Sequence, residues 1–145
     1  MDAPADPFEV LYARGVTDGL PVIPPTRERV GAAVAASGRA GDALIALVPP
    51  NFGRATVEKI AVNAVMAGCR PQYMPVVIAG VEAMCDDAFD LHGVSATTNS
   101  AAPLFIVNGP VRTRLEINAG AGVFGPGYRA NATIGRALRL IVRNL

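Results

Sequence analysis

Apolar side chains recur every three to four residues in five segments, and this period is typical of amphipathic helices. The five helices are expected at residues 7–14, 27–37, 55–67, 76–85 and 129–145. The helix at 55–67 has the most regular apolar face, whereas the one at 76–85 is apolar almost all round and should be buried. Thr26 is placed to cap the second helix, and Gly68 is placed to end the third.

Short apolar runs between the helices predict strands. Residues 43–48 are uniformly apolar and end at two prolines, which is typical of a strand in a sheet covered on both faces. Further short strands are expected at residues 93–98, 104–107 and 114–117. Helices and strands together predict one domain, residues 1–145, of the α/β or α+β class. Its sheet should be small and mostly parallel, with three to four strands covered by helices.

Composition and charge narrow the class of protein. Hydrophobic residues make up 51% of the 145 residues and charged residues 17%, which excludes intrinsic disorder. The net charge of +1 provides no bulk attraction to nucleic acid. Neither a signal peptide nor a run of about eighteen apolar residues is visible. We therefore expect a cytoplasmic protein with no nucleic-acid and no membrane partner.

Of the two cysteines, Cys69 is the better candidate for a reactive thiol. It lies between two predicted helices beside Arg70, and a nearby helix N-terminus or guanidinium favours the nucleophilic thiolate. The alternative is a buried structural thiol, which is the usual state of a free cysteine. The single histidine, His92, and two distant cysteines make a weak case for a metal, so no metal site is expected.

The glycine-rich stretch at residues 120–127 precedes the last helix and predicts an anion site. Its G-x-G-x-x-G pattern is a weak dinucleotide signal, because no acidic residue follows Glu116. Glycines before a helix nevertheless let backbone N–H groups approach an anion closely. The candidate binding residues of this stretch and the helix start are Gly125, Gly127, Arg129, Asn131 and Thr133. The alternative is a solvated arginine ridge beside a tight loop.

Three longer segments carry a family resemblance. They are residues 16–26 (VTDGLPVIPPT), 56–71 (TVEKIAVNAVMAGCRP) and 124–137 (FGPGYRANATIGRA). Together they resemble the N-terminal part of bacterial proteins related to the UGSC-motif (seleno)proteins. Longer members continue into a segment with a reactive selenocysteine or cysteine, and this sequence ends without one. The resemblance therefore implies that the redox centre is lost or is supplied by a separate subunit.

The resemblance is carried over residue by residue to a set of matching polar positions. These are Asp18, Glu58, Asn63, Cys69, Arg70, Arg129, Asn131 and Thr133. We assign Cys69 as nucleophile or redox thiol and Glu58 as a proton-transfer group, although about three helical turns separate them. Asp18 is a third catalytic candidate, with the alternative that it hydrogen-bonds a turn. Asn63 and Arg70 join the binding residues already named.

These observations predict a subunit of an enzyme that binds a small anionic or carbonyl-bearing molecule. Thiol or redox-type chemistry would be completed by a partner chain that supplies the missing C-terminal part, and the sequence indicates no particular cofactor. The alternative is a non-catalytic binding or scaffold subunit of a hetero-oligomeric complex. Both hypotheses predict a homo- or hetero-oligomer, since the apolar fraction exceeds what a domain of this size usually needs.

Overall fold

The computed structural model describes residues 6–145, and helices dominate this range. The helices are α1 (Pro7–Ala13), α2 (Arg27–Ser37), α3 (Val57–Ala67), α4 (Met74–Met84), α5 (Leu91–Ala96), α6 (Pro110–Arg114) and α7 (Arg129–Asn144). Two strands, β1 (Leu44–Val48) and β2 (Gly53–Thr56), form an antiparallel pair. Short 3-10 turns lie at Pro71–Tyr73 and Asp87–Phe89.

Local signals set the ends of the longer helices as the sequence predicts. The Thr26 side chain accepts a hydrogen bond from the backbone N–H of Arg29 and so caps α2. Gly68 follows α3 with a φ of 92°, a left-handed conformation that suits glycine. Both expectations are confirmed, because caps depend only on residues that are close in sequence.

The centre of the core is α3, which packs against α2, α4 and α7. Eight of its eleven residues are buried, and Asn63 is the single polar residue among them. The last helix, α7, faces α3 with an apolar stripe that includes Ile134, Leu138 and Ile141. No helix within residues 6–145 combines the length and the apolar character needed to cross a membrane.

The strand at residues 43–48 is confirmed as β1, but the expected sheet is wrong. It has two antiparallel strands within the described residues, not three to four mostly parallel ones, so the coarser α+β class applies. A hairpin returns the chain from β1 to β2, where the sequence pattern predicts a loop and the start of a helix. Leu44 and Leu47 stay partly exposed, so β1 is not covered on both faces.

The three other predicted strands are absent from the described residues. Residues 91–96 form α5, because the Asp90 carboxylate accepts a hydrogen bond from the Gly93 N–H and caps a helical turn. Arg114 ends α6, which begins at Pro110 directly after Gly109, and residues 115–117 follow this helix. Both short helices start at a local turn signal that outweighs the strand propensity of the residues after it.

Residues 104–107 lie extended but pair with no other strand of the described chain. The side chains of Leu104 and Ile106 are 65% and 76% exposed, while Phe105 and Val107 turn inward. This alternation is that of a strand. The segment nevertheless makes no backbone hydrogen bond to another described segment, so the predicted strand does not form within residues 6–145.

The helix α4 is less buried than its composition predicts. One side packs into the core through Met74, Val77, Ile78, Val81 and Met84. Pro75, Ala79 and Ala83 on the other side are exposed. Together with residues 104–107, these side chains line a groove of about 520 Å³. Because the groove is open to solvent, this apolar helix stays half-exposed.

Candidate functional site

A groove of about 750 Å³ lies among α2, the C-terminal end of α3 and the start of α7. Its polar lining comprises Glu28, Arg29, Cys69, Arg70, Gln72 and Arg129. Its apolar lining includes Ala32, Ala33, Ala64, Val65 and Met74. The volume is typical of small-molecule sites, which run to roughly 300–1,000 Å³. We refer to it as the arginine groove.

Arg129 is held in the groove by the end of α3. Its Nε and Nη2 atoms donate to the carbonyl oxygen of Gly68 at 3.0 and 2.9 Å. That carbonyl belongs to the residue that ends α3, where the helix dipole places partial negative charge and favours a cation. The contact orients the guanidinium without neutralising it, because the acceptor is uncharged.

The other two arginines reach the groove from different elements. Arg29 lies in the first turn of α2 and donates from Nη1 to the carbonyl oxygen of Pro24 at 3.0 Å. The segment before Pro24 is tied to α3, since the Ile23 N–H donates to the Met66 carbonyl oxygen at 3.1 Å. Arg70 is exposed and lies two residues beyond Gly68.

None of the three groove arginines forms an ion pair with a carboxylate of residues 6–145. The two ion pairs in that range are Arg39–Glu82 and Arg136–Asp18. The groove therefore combines three guanidinium groups with a single carboxylate, Glu28, that pairs with none of them. This is a positively charged concave surface.

Cys69 lies in the same groove, but its thiol is held protonated. The Sγ atom donates to the carbonyl oxygen of Thr133 at 3.3 Å. Burial raises the pKa of Cys69 to about 11, although the Thr133 side chain and the positive charge of Arg129 act in the opposite direction. The expected thiolate needs a lowered pKa, and the structure provides a raised one.

Glu58 and Cys69 lie at opposite ends of α3. Glu58 is exposed in the first turn, while Cys69 comes two residues after the last turn. Eleven residues of helix correspond to roughly 16 Å along the axis. The structure therefore does not bring Glu58 to the thiol or to the arginine groove.

Asn63 is structural. It is 4% exposed, its Nδ2 donates to the Lys59 carbonyl oxygen at 2.9 Å, and its Oδ1 accepts from Asn144 Nδ2 at 2.7 Å. Asn144 also donates to the Val16 carbonyl oxygen at 3.0 Å. These bonds join α3, α7 and the segment after α1, and they satisfy a polar group that would be costly to bury alone.

The side chains of Asn131 and Thr133 also form hydrogen bonds within the protein. The Asn131 Oδ1 accepts from the Asn118 N–H at 2.9 Å, and its Nδ2 donates to the Asn118 carbonyl oxygen at 3.0 Å. The Thr133 hydroxyl donates to the Arg129 carbonyl oxygen at 2.8 Å within α7. Asn131 thus anchors the glycine-rich loop, and the Thr133 hydroxyl is occupied inside the helix.

The glycine-rich loop does not form the expected anion cradle. The Gly125 N–H donates to the Gly122 carbonyl oxygen at 2.8 Å, so it is used within the loop. Gly127 has a φ of 109° and is exposed. Of the binding residues predicted around this loop, Arg129 alone lines the arginine groove.

Asp18 forms a bidentate ion pair with Arg136. Its two carboxylate oxygens accept from Nε and Nη2 at 2.8 Å each, and Arg136 also donates to the Pro21 carbonyl oxygen at 2.9 Å. The hydrogen bond from Arg136 lowers the pKa of Asp18. The carboxylate thus stays ionised and links the proline-rich segment to α7.

We expect the Asp18–Arg136 pair to stabilise the fold only where Asp18 is ionised. Because its folded pKa lies below the unfolded value of about 3.9, the contribution is present above that pH and is lost as pH falls through the folded pKa. Asp18→Asn should lower the free energy of unfolding by about 1 kcal/mol at pH 7. The difference from the wild type should shrink below about pH 3.9 in urea titrations.

Asp42→Asn is the matched control, since Asp42 is exposed and forms no ion pair with a described residue. The free energy of unfolding of Asp42→Asn should stay within about 0.5 kcal/mol of the wild-type value at pH 3 and at pH 7. An Asp18→Asn deficit that is the same at pH 3 and pH 7 would show that the ion pair is not its source.

Sequence patterning missed part of the groove. Arg29 and Gln72 were not candidates, because each stands among ordinary helix and turn residues with no motif around it. Glu28 lies in the first turn of α2, where the helix dipole favours a carboxylate, and this placement alone does not indicate a groove. The signal that connects these residues is spatial, since they come from α2 and from the turn after α3.

Within residues 6–145, no group of three His, Cys, Asp or Glu side chains lies close enough to hold a metal ion. The chain matches no protein-family model, no curated protein and no solved structure.

Proposed function

We propose that this protein is a subunit that binds a small anionic molecule in the arginine groove. The observation that supports this most strongly is the gathering of Arg29, Arg70 and Arg129 in one cavity without a carboxylate partner among the described residues. Guanidinium groups bind carboxylate and phosphate through planar, paired hydrogen bonds. The same donors would also polarise a carbonyl group of the ligand.

We further propose that a second chain completes any reaction. Cys69 is protonated beside the groove, and the predicted proton-transfer group Glu58 lies at the far end of α3. The described residues thus supply binding groups, while a partner would supply reacting groups. The resemblance to the UGSC-related family leads to the same proposal, with thiol or redox-type chemistry in the assembled enzyme.

Removing Arg70 should weaken anion binding without disturbing the fold. Arg70 is the best choice because it is exposed and makes no side-chain hydrogen bond with a described residue, whereas Arg129 also anchors Gly68. A charged hydrogen bond contributes on the order of 1.5–3 kcal/mol, so Arg70→Ala should raise the Kd for inorganic phosphate about tenfold or more. Isothermal titration calorimetry at low salt measures this.

Arg143→Ala is the matched control, because it removes an exposed arginine of α7 that does not line the groove. Its Kd for phosphate should stay within twofold of the wild type. Equal weakening by both variants would point to general surface charge, and a wild type that binds neither inorganic phosphate nor an organic anion would overturn the proposal.

A non-catalytic scaffold is the second candidate function. It is favoured by burial, which raises the pKa values of both Cys69 and Cys85, and by the exposed apolar side chains of Leu104 and Ile106. Such a subunit would assemble through apolar surface and keep its thiols inert.

Both candidates predict assembly. Multi-angle light scattering of the purified protein, alone and with co-purifying chains from its host, should show a species heavier than the 15.0 kDa of one chain. Ile106→Lys places a charge on an exposed apolar position and should reduce the mass if this segment contributes. A persistent 15.0 kDa species with no co-purifying chain would contradict the proposal of assembly.

A further inference from the structure

We propose that the ligand of the arginine groove is an organic dianion, a small molecule with two negative charges and an apolar part. This inference rests on the proposed function and adds the charge and the character of the ligand. It follows from three features of the groove, namely its excess charge, its free hydrogen-bond donors and its apolar lining.

The charged side chains of the groove leave an excess of two positive charges. Arg29, Arg70 and Arg129 carry three, and Glu28 offsets one. None of these four groups forms an ion pair with a described residue. A ligand with two negative charges matches the excess, whereas a monoanion leaves one positive charge uncompensated in a concave site where its field is concentrated.

The arginines keep most of their donors free. Each guanidinium has five N–H groups, and the bonds to Gly68 and Pro24 use only some of those on Arg129 and Arg29. Because both acceptors are backbone carbonyls, the two side chains are oriented in advance and still charged. Preorganised donors on separate elements suit two anionic groups, or one doubly charged group approached from several sides.

The lining excludes a bare inorganic ion as the best ligand. Ala32, Ala33, Ala64, Val65 and Met74 present apolar surface beside the charged groups. A phosphate ion would leave that surface wet and much of the 750 Å³ unfilled. A carbon frame that carries the charges would cover it and gain from the loss of apolar area to water.

Matched probes of different charge test the proposal. Succinate, a dianion, is compared with butyrate, a monoanion that also has four carbons. Phenyl phosphate, a dianion, is compared with benzenesulfonate, a monoanion with the same aromatic ring. At pH 7.5 the phosphate monoester is largely doubly charged, since its second pKa is about 6. Calorimetric Kd values are measured for each probe and for inorganic phosphate, with wild type, Arg70→Ala and Arg143→Ala.

At least one dianion should bind about tenfold tighter than its monoanionic match, as one additional charged hydrogen bond implies. Arg70→Ala should reduce that ratio to about threefold or less, and Arg143→Ala should preserve it. Phenyl phosphate should also bind tighter than inorganic phosphate. A larger ratio for the phosphate pair identifies a phosphomonoester ligand, and a larger ratio for succinate identifies a dicarboxylate.

Two results would overturn the inference, and they are distinguishable. If monoanions bind as tightly as their dianionic matches while Arg70→Ala weakens all of them, the groove binds anions without preference for two charges, and the proposed function stands. If no probe binds to folded wild-type protein, as checked by circular dichroism, both the inference and the proposed function fail.

Discussion

Ile60→Ala should lower the free energy of unfolding by about 2–5 kcal/mol, as large-to-small substitutions in packed cores do. Ile60 is 0% exposed and lies on α3, the helix against which α2, α4 and α7 pack. The loss includes the apolar contacts of the removed carbons and the cavity that they leave. Urea unfolding followed by circular dichroism measures the change as a shift of the midpoint at constant slope.

The control for Ile60 is its neighbour Lys59, which is exposed on the same helix. Lys59→Ala keeps helix propensity and should change stability by no more than about 0.5 kcal/mol. Similar losses for both variants would mean that α3 is not the centre of the core. A loss below about 1 kcal/mol for Ile60→Ala would lead to the same conclusion.

Cys69 should be alkylated by iodoacetamide at pH 8 roughly ten- to a hundredfold more slowly than an unhindered thiol. Its pKa of about 11 leaves about one thiolate in a thousand at that pH, whereas an ordinary thiol near 8.5 is about one-quarter ionised. The greater intrinsic nucleophilicity of a high-pKa thiolate offsets part of this difference. The rate should rise with pH until about pH 11.

Single-cysteine variants separate the two thiols. Cys85→Ser isolates Cys69, and Cys69→Ser isolates Cys85, whose pKa is also raised by burial. Placement beside Arg70 predicts from sequence that Cys69 reacts first, whereas the greater burial of Cys69 in the structure predicts that Cys85 does. Rapid labelling of Cys69 at pH 7, faster than that of Cys85, would restore a nucleophilic role for it.

The helices show how much of the fold can be predicted from local sequence pattern. The segments at 27–37 and 55–67 are helical within two residues of the expected bounds, because apolar periodicity and helix caps depend on residues that are close in sequence. Strands differ from helices, since a strand needs a partner that is often distant in sequence. Residues 104–107 have the composition of a strand and its alternation, yet no described segment pairs with them.

The candidate site likewise combines residues that the sequence indicates with contacts that only the tertiary structure shows. Arg70, Arg129 and Cys69 could be selected from sequence because they stand beside turns and helix ends. The environment of these side chains could not be predicted from sequence, since the Cys69 thiol donates to a backbone carbonyl 64 residues away. Burial raises the pKa of this thiol, and no residue close to Cys69 in the sequence indicates that burial.

Sequence alone therefore determined the five helical segments at 7–14, 27–37, 55–67, 76–85 and 129–145, the caps Thr26 and Gly68, and the absence of a strong charge bias, since each depends on residue type and short-range spacing. Tertiary structure decided that Asp18 pairs with Arg136, that Asn63 bonds to Asn144, and that Arg29 joins Arg129 in one groove. Each of these contacts bridges more than 80 residues of chain. Such contacts form only when helices pack, because packing, not spacing, decides which polar groups lose water and must find partners in the protein.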